Sequence, residues 1–362
     1  MAVINIFNPL PTLQASLMGR RNVSKVTAEL QNASKEVSTG LRADIYGDLG
    51  QRAAITLSLR SRMDRTDAFV TSNKLLNNKL DVVSSAAGQA QQAAQDFLSL
   101  AVANVDSPGT TASTLQQQAR AALQAVTNAL NANYAGEYLF SGTATDKAAL
   151  QEYTKTNPAT GLSPKDVIDG IVAGGPTSAA DAAAKLAQLD AVFSSTNTAN
   201  PNQNFEATFY GGTPAQDASG NPNPRLSAQI AEGQTISYGI QANDPAVRDV
   251  LKGLTMIAST DVSKITDPAA YKAWMKSAVG ALSSGTEGLT QAQAQLGSRQ
   301  QLVQDTQTRQ EDLKAVYNSR IAGYEAVDPY EAASRMSALQ TQLNATYSAT
   351  AQLSKLSLLN YL

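Results

Sequence analysis

Residues 76–101 read LNNKLDVVSSAAGQAQQAAQDFLSLA, and this stretch decides the architecture. Leu76, Leu80, Val83, Ala87, Ala90, Ala94, Phe97 and Ala101 recur at spacings of 4-3-4-3-4-3-4. A half-buried strand would alternate with period two, whereas a seven-residue repeat keeps one stripe of a helix against a partner helix. The repeat predicts a continuous helix from about residue 53 to 104, about 75 Å long at 1.5 Å per residue. Ordinary globular helices are far shorter.

Working outward, the same pattern recurs on both flanks. Val23, Val26, Leu30, Ala33 and Val37 are spaced 3-4-3-4. Leu115, Ala119, Ala122, Val126, Ala129 and Asn133 continue the stripe after a turn at Ser107-Pro108-Gly109, and Met336, Leu339, Leu343, Thr346, Thr350, Leu353 and Ser357 carry it at the other end of the chain. Many of these seam positions hold Ala, Thr, Ser or Asn, where a self-sufficient coiled coil has Leu, Ile or Val. Alanine allows close approach but removes little apolar area from water. Helices with such seams are expected to pair with each other and with other subunits, and to fold fully only on assembly.

The middle of the chain differs in composition. Nine of the thirteen prolines and ten of the twenty aromatic residues, Trp274 among them, lie between residues 135 and 285. Phe205, Ala207 and Phe209 alternate in strand fashion before Gly211-Gly212. Leu226–Ile230 and Thr235–Ile240 flank the turn Glu232-Gly233-Gln234 and predict a hairpin. Ala179–Phe193 and Pro245–Ile257 read as helices, with Asp181 and Asp244 as their expected caps. Tyr134, Tyr138 and Phe140 form an aromatic plug where helix gives way to this insert. Asp328-Pro329-Tyr330-Glu331 has the order of a helix start. The fold class is therefore mainly α with an α+β insert, long terminal heptad helices forming a rod-like bundle around it. The expected divisions are an N-terminal arm at 1–45, helical rod at 46–134 and 286–327, a mixed insert at 135–285, and a C-terminal arm at 328–362.

Composition removes most chemistry. With no Cys and no His there is no disulfide, no thiolate nucleophile, no imidazole base and none of the usual zinc ligands. No phosphate-binding or dinucleotide-binding glycine loop is present, nor a Gly-x-Ser-x-Gly elbow. Among the insert's carboxylates, Asp166, Asp169, Asp181, Asp190, Glu206, Asp217 and Glu232 have a spacing that marks no acid and base pair. The reading is of a non-enzyme with no cofactor and no metal. Net charge of −2 gives no electrostatic case for nucleic acid. No apolar run approaches the roughly 20 residues that span a bilayer, so no membrane insertion is expected. At the N-terminus Arg20-Arg21 follow the apolar stretch, whereas a secretory signal has its charges first. Export, if any, takes another route.

Three segments resemble a known family. NANYAGEYLFSGTATD at 131–146, DPYEAASRMSALQTQLNATYSATAQLSKLSLLNYL at 328–362 and LQNASKEVSTGLRADIYGDLGQRAAITLSLRSRMD at 30–64 are similar to the flagellin-like axial proteins of bacterial flagella. Within that family they look most like the hook–filament junction proteins, the third hook-associated proteins. Flagellins usually carry an Asp-Asp-Ala/Pro-Ala-Gly signature after the first helix; here Asp44-Ile45-Tyr46-Gly47-Asp48-Leu49-Gly50 stands in its place, which leans toward the junction proteins. The resemblance implies a secreted structural subunit, exported unfolded by the flagellar type III apparatus with a cytoplasmic chaperone. It implies contacts with copies of itself, with the first hook-associated protein and with flagellin. Filament flagellin is the near alternative, and an extracellular enzyme or adhesin the distant one. The implied self-assembly seam is Val23, Val26, Leu30 and Val37 with Leu339, Leu343, Leu353 and Leu356.

Overall fold

A computed structural model describes residues 10–359, with side chains at Gln14 and from Leu17 to Gln352. The chain is mainly α, with nine α-helices and four short strands among the described residues. It divides into a terminal unit, residues 1–68 with 310–362, and a central unit, residues 69–309.

In the terminal unit, α1 (Leu10–Thr39) lies against α9 (Pro329–Leu359). The pair is antiparallel, since Glu36 meets Arg335 while Gly19 lies near Thr350. A five-residue helix α2 (Ile45–Leu49) follows α1, capped by Asp44, whose carboxylate accepts the Gly47 N–H at 2.9 Å. At the start of α9 the Asp328 carboxylate accepts the Tyr330 N–H at 2.8 Å, with Pro329 in the first turn.

The central unit is built on the quoted stretch. All eight stripe residues from Leu76 to Ala101 are buried, five of them completely. They sit on α3 (Ala53–Val102) and share one core with α4 (Ala112–Leu130) and α8 (Pro268–Glu325). On α8, Leu282, Leu289, Leu296 and Val303 are buried at a spacing of seven. Side chains bind α3 to α8 alongside this seam: Gln91 to Thr290 and to Gln293 at 2.6 Å each, and Gln300 to Asp81 at 2.8 Å. On α4 the stripe departs from the expected one. Leu123 and Leu130 are buried, Ala122 and Ala129 only partly, and Asn133 is exposed. The helix has a second partner in α7 (Pro245–Ser259), so its apolar face is wider than one seam.

The loop between α3 and α4 is closed by Asn104. Its amide donates to Thr111 Oγ1 at 2.8 Å and accepts from the Gly109 N–H at 3.0 Å, and its carbonyl accepts from the Tyr271 hydroxyl at 2.6 Å. After α4, β1 (Asn133–Tyr134) and β2 (Glu137–Tyr138) form a two-residue hairpin. Ala135 and Gly136 both have positive φ, 52° and 89°, the conformation such a turn requires. The plug that follows is Leu139 with Phe140, both fully buried. Tyr134 and Tyr138 stay half-buried, each following an exposed residue, Asn133 or Glu137, in its strand.

Helices α5 (Pro164–Val172), α6 (Ala179–Phe193) and α7 make up most of the insert's core. The hairpin β3 (Ser227–Ala231) and β4 (Gln234–Ser237) pairs Ala228 with Ile236 and is irregular between Gln229 and Ala231. Phe205–Phe209 is a π-helical turn and not the expected strand. Its aromatic rings gather on one side, Phe205 stacked on Phe209 at 5.5 Å and both against Phe193 at 5.7 and 5.4 Å. A strand would send ring-bearing residues at 209 and 210 to opposite faces, whereas here Phe205 also stacks on Tyr210 at 6.5 Å. The caps differ too. Ser178 caps α6 and accepts the Asp181 N–H, placing Asp181 in the first turn. Asp244 is at the cap of α7, but its carboxylate turns to Arg225 and to the Gln241 N–H at 2.9 Å.

Between Pro214 and Asn223 an exposed loop closes on itself. Gln216 bridges Pro222, the Asp217 carboxylate accepts the Ser219 and Asn221 N–H groups at 2.8 and 2.9 Å, and Gly220 has φ 83°. Those hydrogen bonds hold the Asp217 carboxyl below its ordinary range, the Asn221 N–H contributing most.

Candidate assembly interface

The terminal unit concentrates two things that a finished monomer avoids. Of the fifteen large hydrophobic residues exposed among the described residues, eleven belong to it, although it holds a third of the chain. They include Leu17, Met18 and Val37 on α1, Tyr46 on α2, Ile55 and Leu57 on α3, and Leu313 and Val316 on α8. Its interior is correspondingly thin. Six apolar residues are buried there and five polar ones, Glu36, Thr56, Thr66, Gln310 and Glu325.

The α1–α9 seam consists of Val26, Ala33 and Leu339, with Leu30, Met336 and Leu343 packed against them. Of the expected seam residues, Val26 and Leu339 are therefore buried together, and Leu30 and Leu343 flank them. Val23 is half-buried, and the side chains of Leu353 and Leu356 lie outside the described residues. Val37 faces outward, 37% exposed, and Glu36 is buried in its stead.

What makes a carboxylate tolerable at that position is the set of groups that meets it. Glu36 accepts the Ala43 N–H at 3.1 Å and a guanidinium N–H of Arg335 at 3.3 Å, and Arg335 also bonds Glu331 one turn away at 3.2 Å. A second buried carboxylate, Glu325, takes both arms of Arg60, Nε at 3.1 Å and the terminal nitrogen closer still. That hydrogen bonding raises the Arg60 guanidinium above its ordinary value. Backbone links complete the joint: Arg42 N–H donates to the Glu325 carbonyl at 2.8 Å, Val327 N–H to Gly40 at 3.0 Å, and Arg42 Nε to Tyr324 at 3.3 Å. The exit of α1 is thus tied to the entrance of α9. Burying charge without such partners would cost several kcal/mol.

Five of the insert's carboxylates are committed to helix caps and ion pairs. Asp166 completes a capping box with Ser163, whose hydroxyl donates at 2.6 Å and depresses its pKa. Asp181 accepts the Thr177 N–H at 2.9 Å and is depressed likewise. Asp169 pairs with Lys165, Asp190 with Lys252, and Glu206 with Arg248 at 3.0 Å. Among the described residues no group of three potential ligands is placed to hold a metal, and no helix is long and apolar enough to cross a membrane.

Residues 10–145 match the bacterial flagellin N-terminal helical region, and residues 279–362 the bacterial flagellin C-terminal helical region, together more than half of the chain. The chain belongs to the flagellin family. A solved structure described as a flagellar hook-associated protein from Vibrio parahaemolyticus shares its fold, with a TM-score of 0.50 at 11% identity over 77% of this chain and 99% of that one. No curated protein matches the sequence. As a flagellin-family protein the chain is a structural, non-enzymatic component of the flagellum. Membership also implies self-assembly and contact with other flagellar components.

Sequence reasoning missed the α8 seam, although Leu282, Leu289, Leu296 and Val303 stand at a plain interval of seven. It also missed Glu36 and Glu325, for which the sequence carries no signal. Only the meeting of the two chain ends gives them partners.

Proposed function

We propose that this protein is a hook–filament junction subunit of the bacterial flagellum. The observation that carries the reading is the pair of sequence features at the ends of the chain: the 328–362 helix closing on Leu-Leu-Asn-Tyr-Leu, and Asp44–Gly50 in place of the usual flagellin signature. The Vibrio parahaemolyticus likeness, described as hook-associated, supports it. Copies form a short ring between the first hook-associated protein and the flagellin filament, after export in unfolded form with a chaperone.

Assembly uses the terminal unit. Val26, Leu30, Leu339 and Leu343 hold α1 to α9 within a subunit, and Val23 and Val37 face neighbouring copies. The exposed Ile55, Leu57, Leu313 and Val316 add apolar area for the same purpose.

Filament flagellin is the second reading, favoured by the names of the two matching regions. Immunogold labelling of isolated flagella separates the two. Gold confined to the distal end of the hook is expected, and gold along the filament would overturn the junction assignment in favour of the filament.

A further inference from the structure

A cleft of about 270 Å³ opens between α4 and the segment preceding α5. One wall is a single face of α4, where Arg120, Gln124 and Asn128 follow one another at four-residue intervals. The facing wall carries Glu152 and Lys165, and the floor is Leu123 with the ring of Tyr153. The floor is fixed in place: the Tyr153 hydroxyl is bonded to Ser259 at 2.8 Å, and Leu123 is buried.

The polar groups on the α4 wall of this cleft are largely uncommitted. Gln124 and Asn128 make no hydrogen bond to any described residue, and Arg120 uses only its Nε, on the Ala258 carbonyl at 2.9 Å. The charges of the facing wall, by contrast, are spoken for. Lys165 pairs with Asp169, and Glu152 with Lys155 at 3.7 Å. What remains on offer is a row of planar donors and acceptors above an apolar floor, headed by the Arg120 guanidinium, the one charge in the lining that no carboxylate pairs.

The geometry points to a binding site for a neutral monosaccharide unit in this cleft. A pyranose ring presents hydroxyls that both donate and accept at its edge, which two side-chain amides and a guanidinium can satisfy. Its C–H face is apolar and covers the floor of Leu123 and Tyr153. The site binds and does not cleave: Glu152 is the sole carboxylate in the lining, and glycoside hydrolysis needs two. This inference does not rest on the protein's station in the flagellum.

The test is saturation-transfer NMR on the full chain with methyl α-D-glucoside, methyl β-D-galactoside, methyl α-D-mannoside and N-acetylglucosamine, with glucuronate as the charged comparison. At least one neutral glycoside is expected to bind with Kd on the order of 1 mM. Gln124→Ala with Asn128→Ala should weaken it at least tenfold. Both substitutions place the best helix former on an exposed helix face, and the single variant Gln124→Met checks the result if the double variant melts early. Absence of transfer from all four neutral sugars, binding of glucuronate alone, or transfer unchanged in the variants would each overturn the assignment.

Discussion

The two units of this chain solve the same problem with opposite means. Among the described residues, fifty-three buried apolar residues belong to 69–309 and six to the terminal unit, while the buried polar residues number twelve and five. The central unit is stabilised as most domains are, by apolar area removed from water. In the terminal unit nearly every second buried residue is polar, and the two buried carboxylates depend on arginines from the other end of the chain. A region that exposes eleven of the fifteen large hydrophobic residues on the described surface, and binds its ends by charge, has the apolar surface that the proposed assembly would cover. The lesson is that the buried apolar core and the exposed apolar surface are concentrated in different parts of one sequence.

That contrast can be broken at several points. The largest effect is expected from Leu343→Asp, which places a charge beside the α1–α9 seam. Assembly into filaments or rings should be abolished, by electron microscopy and sedimentation, while residues 69–309 keep their cooperative unfolding. Wild-type assembly in this variant would show that the seam is dispensable. Next, Trp274→Ala removes the largest fully buried side chain of the central unit and should cost about 3–5 kcal/mol in denaturant unfolding. Arg335→Met leaves the Glu36 carboxylate with the Ala43 N–H alone. It should loosen α1 and α9 by about 1–3 kcal/mol, seen as faster amide exchange there and nowhere in α4 or α7.

Smaller still is an alkaline effect confined to the central unit. Burial pushes the Tyr153 hydroxyl up to about 12, against an ordinary value of 10. The folded state therefore holds this proton more tightly than the unfolded one, so stability is unaffected below pH 10 and falls as pH rises from about 10 to 12. Tyr153→Phe should flatten that decline in urea titrations at stepped pH; an unchanged slope would remove Tyr153 as its source. Smallest for the monomer is Val37→Asp at an exposed site, expected to shift unfolding by less than about 0.5 kcal/mol. Its assembly should nevertheless fall, and that dissociation of the two readouts sharpens the comparison most.

Legibility in the sequence followed the same division. The stripe from Leu76 to Ala101 could be read residue by residue, because one helix facing one apolar partner obeys a single period. On α4 the reading slipped to Ala122 and Ala129, since a helix with two partners buries a face that no single heptad describes. Phe205–Phe209 misled because two aromatic residues four apart fit a helical turn as well as an alternating strand allows them to fit a sheet. At the assembly surface, Val26 and Leu339 were legible as apolar seam residues. Glu36 was not, since a buried carboxylate is specified by Arg335, almost three hundred residues away in sequence.

The loop between Pro214 and Asn223 has a practical consequence. Because Gln216 and Pro222 already hold its ends together, lengthening it at Gly220 adds only a loop-closure cost that grows slowly with length. The loop is thus a natural insertion point for an epitope, where a tag changes neither the core of the central unit nor the terminal helices. It would allow a single copy of this protein to be found on an intact organelle by an antibody that recognises nothing else there.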